Sequence, residues 1–453
     1  MMLSVGEICN ACGGRLLRGD FGAFVTGVKT DSREITAGDL FVPIKGERTD
    51  AHIYISNVFA AGAVASFTEN LFENASGDGA LIYVENSLAA LQKLASYYRN
   101  KFDIPVVGVT GSVGKTTTKE MIALALSAGK EAYYTKGNFN SQIGLPLTIM
   151  GLEEKHDCAV IEMGMSDFGE MSRLARITRP TVAVITNIGI SHIAQLKTQN
   201  NIMLEKLHIT DGFASDQLLL INGDDPWLSL LSGNLPFYTV TYGLSENCRW
   251  RAINICTAAG STSFDVLSPR GKIHVYLPAL GVHNIQNALA ALAVADAVGV
   301  SVFEAARKLA EYTPPAMRQQ IYNVNGITII DDSYNASPDS VKSGIDVLCA
   351  QNTFGRKIAV LADMKELGDY SEKGHTEIGL YADEKKLDAI FAVGEDVKYT
   401  LSAAKNANCR HFESNEQLAH ELLSYLQNGD CVLIKGSRSM HTEEVVKELL
   451  NKL

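Results

Sequence analysis

The chain has 453 residues, 46% hydrophobic and 20% charged, with a formal net charge of -11 at pH 7. It is too long for one hydrophobic core and fits about two to four domains, and its balance excludes a disordered chain. The acidic surplus argues against sequence-independent nucleic-acid binding, which needs a basic surface to displace counterions.

No basic start followed by an apolar core and a small-residue cleavage site opens the chain, and its most apolar stretch, residues 288–300, is interrupted by Asp296. A cytoplasmic protein without an integral membrane segment is expected. The eight cysteines show no paired framework and read as reduced thiols. Cys9 and Cys12 have C-x-x-C spacing, but no second pair or histidine pair follows nearby. They read as two thiols on one face of a first helix rather than as metal ligands.

In chain order, the first eighty or so residues mix short strand signals, such as Asp39 to Ile44, with a helix expected over 54–61. A short apolar run at 80–84 is followed by helical spacing from Ser87 to Arg99. From Pro105 apolar strands at 106–109, 158–161 and 181–185 alternate with amphipathic helices, the pattern of a parallel sheet covered on both faces. Residues 236–280 turn to β-branched alternation, with a turn at Pro269-Arg270-Gly271, and predict appended antiparallel hairpins. An Ala-rich helix over 284–298 follows. Thr313-Pro314-Pro315 is a stiff break, because two prolines cannot continue a helix. Beyond it strands at 328–330, 357–361, 389–393 and 431–434 alternate with helices, a smaller doubly wound pattern.

The expected fold is therefore α/β in three domains. They are a small N-terminal α/β domain (1–82), a central parallel-sheet domain with appended antiparallel strands that carries the P-loop read next (83–313), and a C-terminal Rossmann-like domain (314–453).

The strand at 106–109 runs into Gly111-Ser112-Val113-Gly114-Lys115-Thr116-Thr117 and then a helix expected over 119–127. Glycines there let backbone N–H groups face phosphates at a helix N-terminus, where the dipole favours anions. Lys115 would neutralise β/γ oxygens and Thr116 would hold Mg²⁺. The strict G-x-x-x-x-G-K-[ST] spacing is not met, since Val109 stands where the first glycine belongs and the glycine lies at 108. Glu162 ends the next strand at the carboxyl edge and is either a metal ligand or a solvated strand end. His192 falls just past a third strand, and Lys206 on a helix after it; alone, these read as a loop hydrogen-bonder and an exposed helical lysine.

Together these segments resemble the Mur ligase family over nearly the whole length. The resemblance lies in Gly108 to Thr117 with its variant spacing, Gly137 to Pro146, Glu162-Met163-Gly164, Thr186 to Gly189 with His192, and Gly281 to Asn287. Arg318, Asp332 to Pro338, Leu361 to Gly368 with His375, and Lys435 to Arg438 extend it, as do Asp31-Ser32-Arg33 and Gly38 to Arg48. Ser141 and Ser337 stand where Asn is commoner.

The resemblance implies ATP as cofactor, with Gly111 to Thr117, Asn284, Asn287, Arg318 and Asp332 as its contacts. It implies two Mg²⁺ ions, one on Thr116 and Glu162, the other on His192 and a carbamylated Lys206, and it makes Lys115, Glu162, His192, Lys206 and Arg318 catalytic. The implied substrates are UDP-N-acetylmuramoyl-tripeptide, with Ser32, Arg33, Lys45, Arg48, Asn138 and Asn140 as its contacts, and D-alanyl-D-alanine. The implied reaction is an ATP-dependent amide ligation through an acyl phosphate, by a monomer. Two alternatives stay open: a folylpolyglutamate-synthase-like or cyanophycin-type ligase, and a nucleotide switch that hydrolyses ATP to change shape.

Overall fold

Apolar and β-branched runs bounded by turns assemble into three main sheets in the computed structural model, which describes residues 1–46, 49–258 and 260–453. The first sheet has five strands in the order Arg15–Arg18, Ala80–Tyr83, Ala65–Thr68, Asp39–Phe41 and Gly27–Lys29. The second has nine, in the order Gly271–Leu277, Ser261–Ser268, Trp250–Ala258, Tyr238–Gly243, Leu218–Asn222, Val182–Ile185, Val106–Thr110, Cys158–Glu162 and Ala132–Tyr134. The third has six: Gln320–Val324, Ile327–Asp331, Cys431–Lys435, Lys357–Ala362, Ala389–Val393 and Asn408–Phe412.

The central strands Val106–Thr110, Cys158–Glu162 and Val182–Ile185 are buried at every position, as strands covered on both faces must be. One face packs against helix Ser87–Arg99, and its apolar cluster runs on into Leu3, Ile8, Val25 and Phe67 beneath the first sheet. The other face is covered by helices Lys115–Leu126, Val282–Ala297 and Val302–Leu309. In the third sheet two separate apolar clusters fill the two faces.

The antiparallel extension consists of Trp250–Ala258, Ser261–Ser268 and Gly271–Leu277. Tyr238–Gly243 departs from expectation: it pairs parallel to Leu218–Asn222 and belongs to the parallel part of the sheet. Parallel pairing needs a crossover of about a dozen residues. The stretch 223–237 supplies it, which alternation along 236–280 could not reveal. The helix after the phosphate loop begins at Lys115, ahead of the expected start, because Gly114 (φ 84°) turns the chain in a left-handed conformation that a side chain would resist.

Cys9 and Cys12 are buried on helix Val5–Cys12, and all eight cysteines are free. Among the described residues no helix is long and apolar enough to cross a membrane.

One buried cation ties the end of helix Ser87–Arg99 to helix Glu170–Thr178, which packs in the same apolar cluster. Arg99 is 6% exposed and donates from Nε to the Thr178 carbonyl (2.9 Å) and from Nη1 to the Phe102 carbonyl (2.6 Å). Burial, with nearby Arg179, holds its pKa down to about 10. Arg99→Leu strands these carbonyls and should destabilise the protein by about 3 kcal/mol in urea unfolding. A change within about 0.5 kcal/mol, the range of ordinary surface substitutions, would contradict this account of the junction.

Candidate active site

Three parallel strands deliver their carboxyl ends to one edge, the place where open α/β sheets hold ligands. The loop after Val106–Thr110 is clamped onto the segment after Val182–Ile185. A Cβ on Gly111 (φ 149°) would lie 1.8 Å from Thr186 Oγ1, so only glycine fits there. Val113 N–H donates to Asn187 Oδ1 (2.9 Å), Asn187 Nδ2 and Thr186 Oγ1 donate to the Val113 carbonyl (2.9 and 2.5 Å), and Gly189 N–H donates to Ser112 Oγ (2.9 Å). The loop is thereby rigid before any ligand arrives. The first N–H groups of helix Lys115–Leu126 have no intrahelical acceptor and point at the same edge. Lys115 Nζ folds back to donate to the Gly111 carbonyl (2.8 Å), and burial lowers its pKa from the ordinary lysine value.

Glu162 is 2% exposed. Its Oε1 accepts from Asn140 Nδ2 (2.7 Å) and Thr116 Oγ1 (3.3 Å), and its backbone N–H is held by Thr135 Oγ1 (2.9 Å). Oε2 accepts no hydrogen bond among the described residues. The nearest cation, Lys119 Nζ, is an ion-pair partner only, at 3.9 Å, while it donates to the Thr135 carbonyl (2.7 Å) and pairs with Glu120 (2.9 Å). A buried carboxylate with a free oxygen beside a threonine hydroxyl is an oxygen set suited to a hard cation, so Thr116 and Glu162 fit one Mg²⁺.

A second ion finds less. His192, in a left-handed conformation (φ 64°), pairs through Nδ1 with Glu366 Oε2 (3.0 Å), a residue of the third-sheet region. Lys206 is 1% exposed, and no hydrogen bond or ion pair to its Nζ occurs among the described residues. Burial, with Lys115 nearby, pushes its pKa well below that of a free lysine. Among the described residues no cluster of three or more His, Cys, Asp or Glu side chains could hold a metal. As they stand, His192 and Lys206 do not supply a second oxygen set.

Arg318 enters from the start of the third-sheet region, flanked by Met317 (φ 59°) and Gln319 (φ 56°), both left-handed. Its Nη2 donates to Thr116 Oγ1 (3.4 Å) and its guanidinium lies 4.0 Å over the Tyr334 ring. On helix Val282–Ala297, Asn287 Oδ1 accepts from Thr118 Oγ1 (2.9 Å) and Asn284 Nδ2 donates to the Leu280 carbonyl (2.8 Å). Asp332 and Lys435 form a buried pair at 2.6 Å.

These groups line one cavity of about 1040 Å³. It brings together Ser112, Val113, Gly114, Lys115, Thr116, Thr117, Asn138, Asn140, Glu162, His192, Asn284, Asn287, Arg318 and Asp332. Gly111, Lys206, Ser32, Arg33 and Lys45 do not line it. Arg33 is bound to Asp31 (2.6 Å) and Lys45 to Glu69 (2.6 Å). Arg48 lies outside the described residues. Sequence reasoning missed Lys119, Gln319, Tyr334 and the partner role of Glu366. The one local signal was that Lys119 falls four residues after Lys115, one turn along the same helix.

The sequence matches three family descriptions: Mur ligase family, catalytic domain, over residues 24–99; Mur ligase middle domain, over 109–295; and Mur ligase, glutamate ligase domain, over 317–438. It is 36% identical to the UDP-N-acetylmuramoyl-tripeptide--D-alanyl-D-alanine ligase of Bacillus subtilis, over 94% of this chain and 93% of that protein. Among solved structures it is similar to MurF from Acinetobacter baumannii, with a TM-score of 0.93 and 30% identity over 100% of this chain and 99% of that one. It is also similar to the MurF ligase of Thermotoga maritima in complex with ADP, with a TM-score of 0.85 and 30% identity over 95% and 99%.

The His192–Glu366 contact bridges the central and third sheets, and Glu366 is held below the usual carboxylate range chiefly by the hydrogen bond from His192. Glu366→Ala should loosen that junction and enlarge the radius of gyration of the ligand-free protein in small-angle X-ray scattering. An unchanged scattering curve would mean that the pair does not hold the two sheets together.

Proposed function

The chain belongs to the Mur ligase family, and from that premise we propose that it joins D-alanyl-D-alanine to UDP-N-acetylmuramoyl-tripeptide, driven by cleavage of ATP to ADP and phosphate. One observation carries the reading beyond the family: the phosphate loop, the buried Glu162 and the cross-sheet Arg318 face a single cavity.

The chemistry follows from the electrophile. A carboxylate resists attack by an amine, so a tripeptide carboxylate oxygen first attacks the γ-phosphorus and the bond to ADP breaks. The amine of D-alanyl-D-alanine then attacks the acyl carbon, the carbon–oxygen bond to phosphate breaks, and the amine sheds a proton. The free N–H groups at the start of helix Lys115–Leu126, with Lys115, hold the β- and γ-phosphates, and Arg318, brought in from the third-sheet region, meets the transferring group. Mg²⁺ on Thr116 and Glu162 would offset charge on the transferring oxygens. Asn284, Asn287 and Asp332 take the nucleoside end, and Asn138 and Asn140 the tripeptide side. Ser32, Arg33, Lys45 and Arg48 take the UDP-sugar, for which Arg33 and Lys45 must exchange their present carboxylate partners for the diphosphate.

We place the domain limits at 1–82, 83–313 and 314–453, and the protein, as a monomer, in the cytoplasm, a compartment that suits its eight free cysteines. A second Mg²⁺ needs an anion that the side chains lack. Lys206 is buried and biased toward the neutral amine, the form that adds CO₂ with loss of a proton to give a carbamate; with His192 it would complete that site.

With ATP and Mg²⁺, phosphate release should require both UDP-N-acetylmuramoyl-tripeptide and D-alanyl-D-alanine, and Lys115→Ala or Glu162→Ala should reduce it by at least about 10²–10³-fold. Release without the dipeptide would instead favour a nucleotide switch. After incubation with ¹³C-bicarbonate, a carbamate signal should appear in the protein and be absent from Lys206→Ala, whose activity short carboxylic acids should partly restore. A fully active Lys206→Ala without added acid would remove the carbamate.

A further inference from the structure

Arg318 faces the cavity without a counter-ion: no carboxylate pairs with it among the described residues. Its charge is felt by its neighbours, since it helps to depress Lys115 and Lys435, two other cations that line the same cavity. Such a side chain should swing freely unless something other than an anion holds it.

What holds it is an aromatic face. The guanidinium carbon stands 4.0 Å from the centre of the Tyr334 ring, and the backbone N–H of Tyr334 donates to the carbonyl of Met317 (3.2 Å), tying the backbone that carries the ring to the residue preceding Arg318. On the other side, Gln319 Oε1 is engaged by His283 Nε2 (3.0 Å) and Asn284 Nδ2 (3.3 Å) of helix Val282–Ala297. These ties maintain the left-handed backbone at Met317 and Gln319. A second arginine supplies a contrast on the same ring. Arg438 lies 6.0 Å from it but is neutralised by Glu443 at 3.0 Å.

We propose that Tyr334 is a positioning residue for phosphoryl transfer: its ring face orients the Arg318 guanidinium toward the phosphate loop while leaving its charge uncancelled and its N–H edge free apart from the long contact to Thr116 Oγ1 (3.4 Å). A carboxylate in the same place would orient the guanidinium as well, but it would occupy the donors and cancel the charge that a transferring phosphoryl group needs. The ring does the first without the second. The inference rests on Arg318 acting on the γ-phosphate.

A double-mutant cycle on the full chain tests it, with kcat, KM for ATP and ADP affinity measured for each variant. Tyr334→Phe keeps the ring and should stay within about 3-fold of the parent. Tyr334→Leu should lower kcat about 10-fold, with KM for ATP and ADP affinity within about 3-fold. In an Arg318→Ala background the same Leu substitution should cause no further loss. Equal losses in both backgrounds, a Phe variant as impaired as Leu, or a loss confined to ADP affinity would each overturn the proposal. If Arg318→Ala itself left kcat unchanged, the reading of Arg318 would fall and this one with it.

A second measurement does not depend on turnover. In the ligand-free protein the Arg318 Nε–H resonance should carry an upfield ring-current shift that survives Tyr334→Phe and vanishes in Tyr334→Leu. An unchanged resonance in Tyr334→Leu would show that the ring does not hold the guanidinium.

Discussion

A carboxylate taken almost wholly out of water must find positive charge or donors for both oxygens, and Glu162 satisfies only one of them with hydrogen bonds. The architecture around the sheet edge answers that constraint. Thr135 grips the Glu162 backbone and anchors Lys119 behind the carboxylate, while Asn140 and Thr116 fix Oε1. The remaining oxygen is left for a cation that the hydroxyl of Thr116 can share. Because Thr116 opens the helix after the phosphate loop, one buried side chain links the strand Cys158–Glu162 to the nucleotide end of the cavity.

The same cavity carries the opposite problem. Lys115, Arg318 and Lys435 crowd positive charge against each other, and for Lys115 the loss of solvation is the larger penalty. A triphosphate relieves both. The charge on Arg318 is delivered from the third sheet, so the cavity is complete only while that sheet is docked, through Thr116 on one side and the His192–Glu366 pair on the other. In the proposed reaction, docking, phosphate recognition and exclusion of water from an acyl phosphate would thus depend on the same contacts.

How much of this was legible in the sequence follows from how local each determinant is. The phosphate loop is written in closely spaced glycines followed by Lys115 and Thr116, and the helix Ser87–Arg99 and strand Ala389–Val393 in their apolar spacing, so these were readable directly. Tyr238–Gly243 was not, because strand direction depends on where the crossover lands rather than on alternation. Glu162 and Arg318 could be singled out, but their shared cavity could not, since it depends on how two sheets meet. Lys119, Tyr334 and Glu366 went unread for the same reason: each acts on a residue distant in sequence or already chosen for another role. Arg33 and Lys45 were expected as contacts of the UDP-sugar, and spacing alone did not disclose that Asp31 and Glu69 already pair with them.

The central claim is that this cavity transfers the γ-phosphoryl group of ATP to a carboxylate before the amide forms. It is tested most directly by labelling the terminal carboxylate of UDP-N-acetylmuramoyl-tripeptide with ¹⁸O and analysing the phosphate released during ligation by mass spectrometry. The acyl-phosphate route predicts that one labelled oxygen passes into each phosphate formed. Unlabelled phosphate, with amide made at the normal rate, would contradict it.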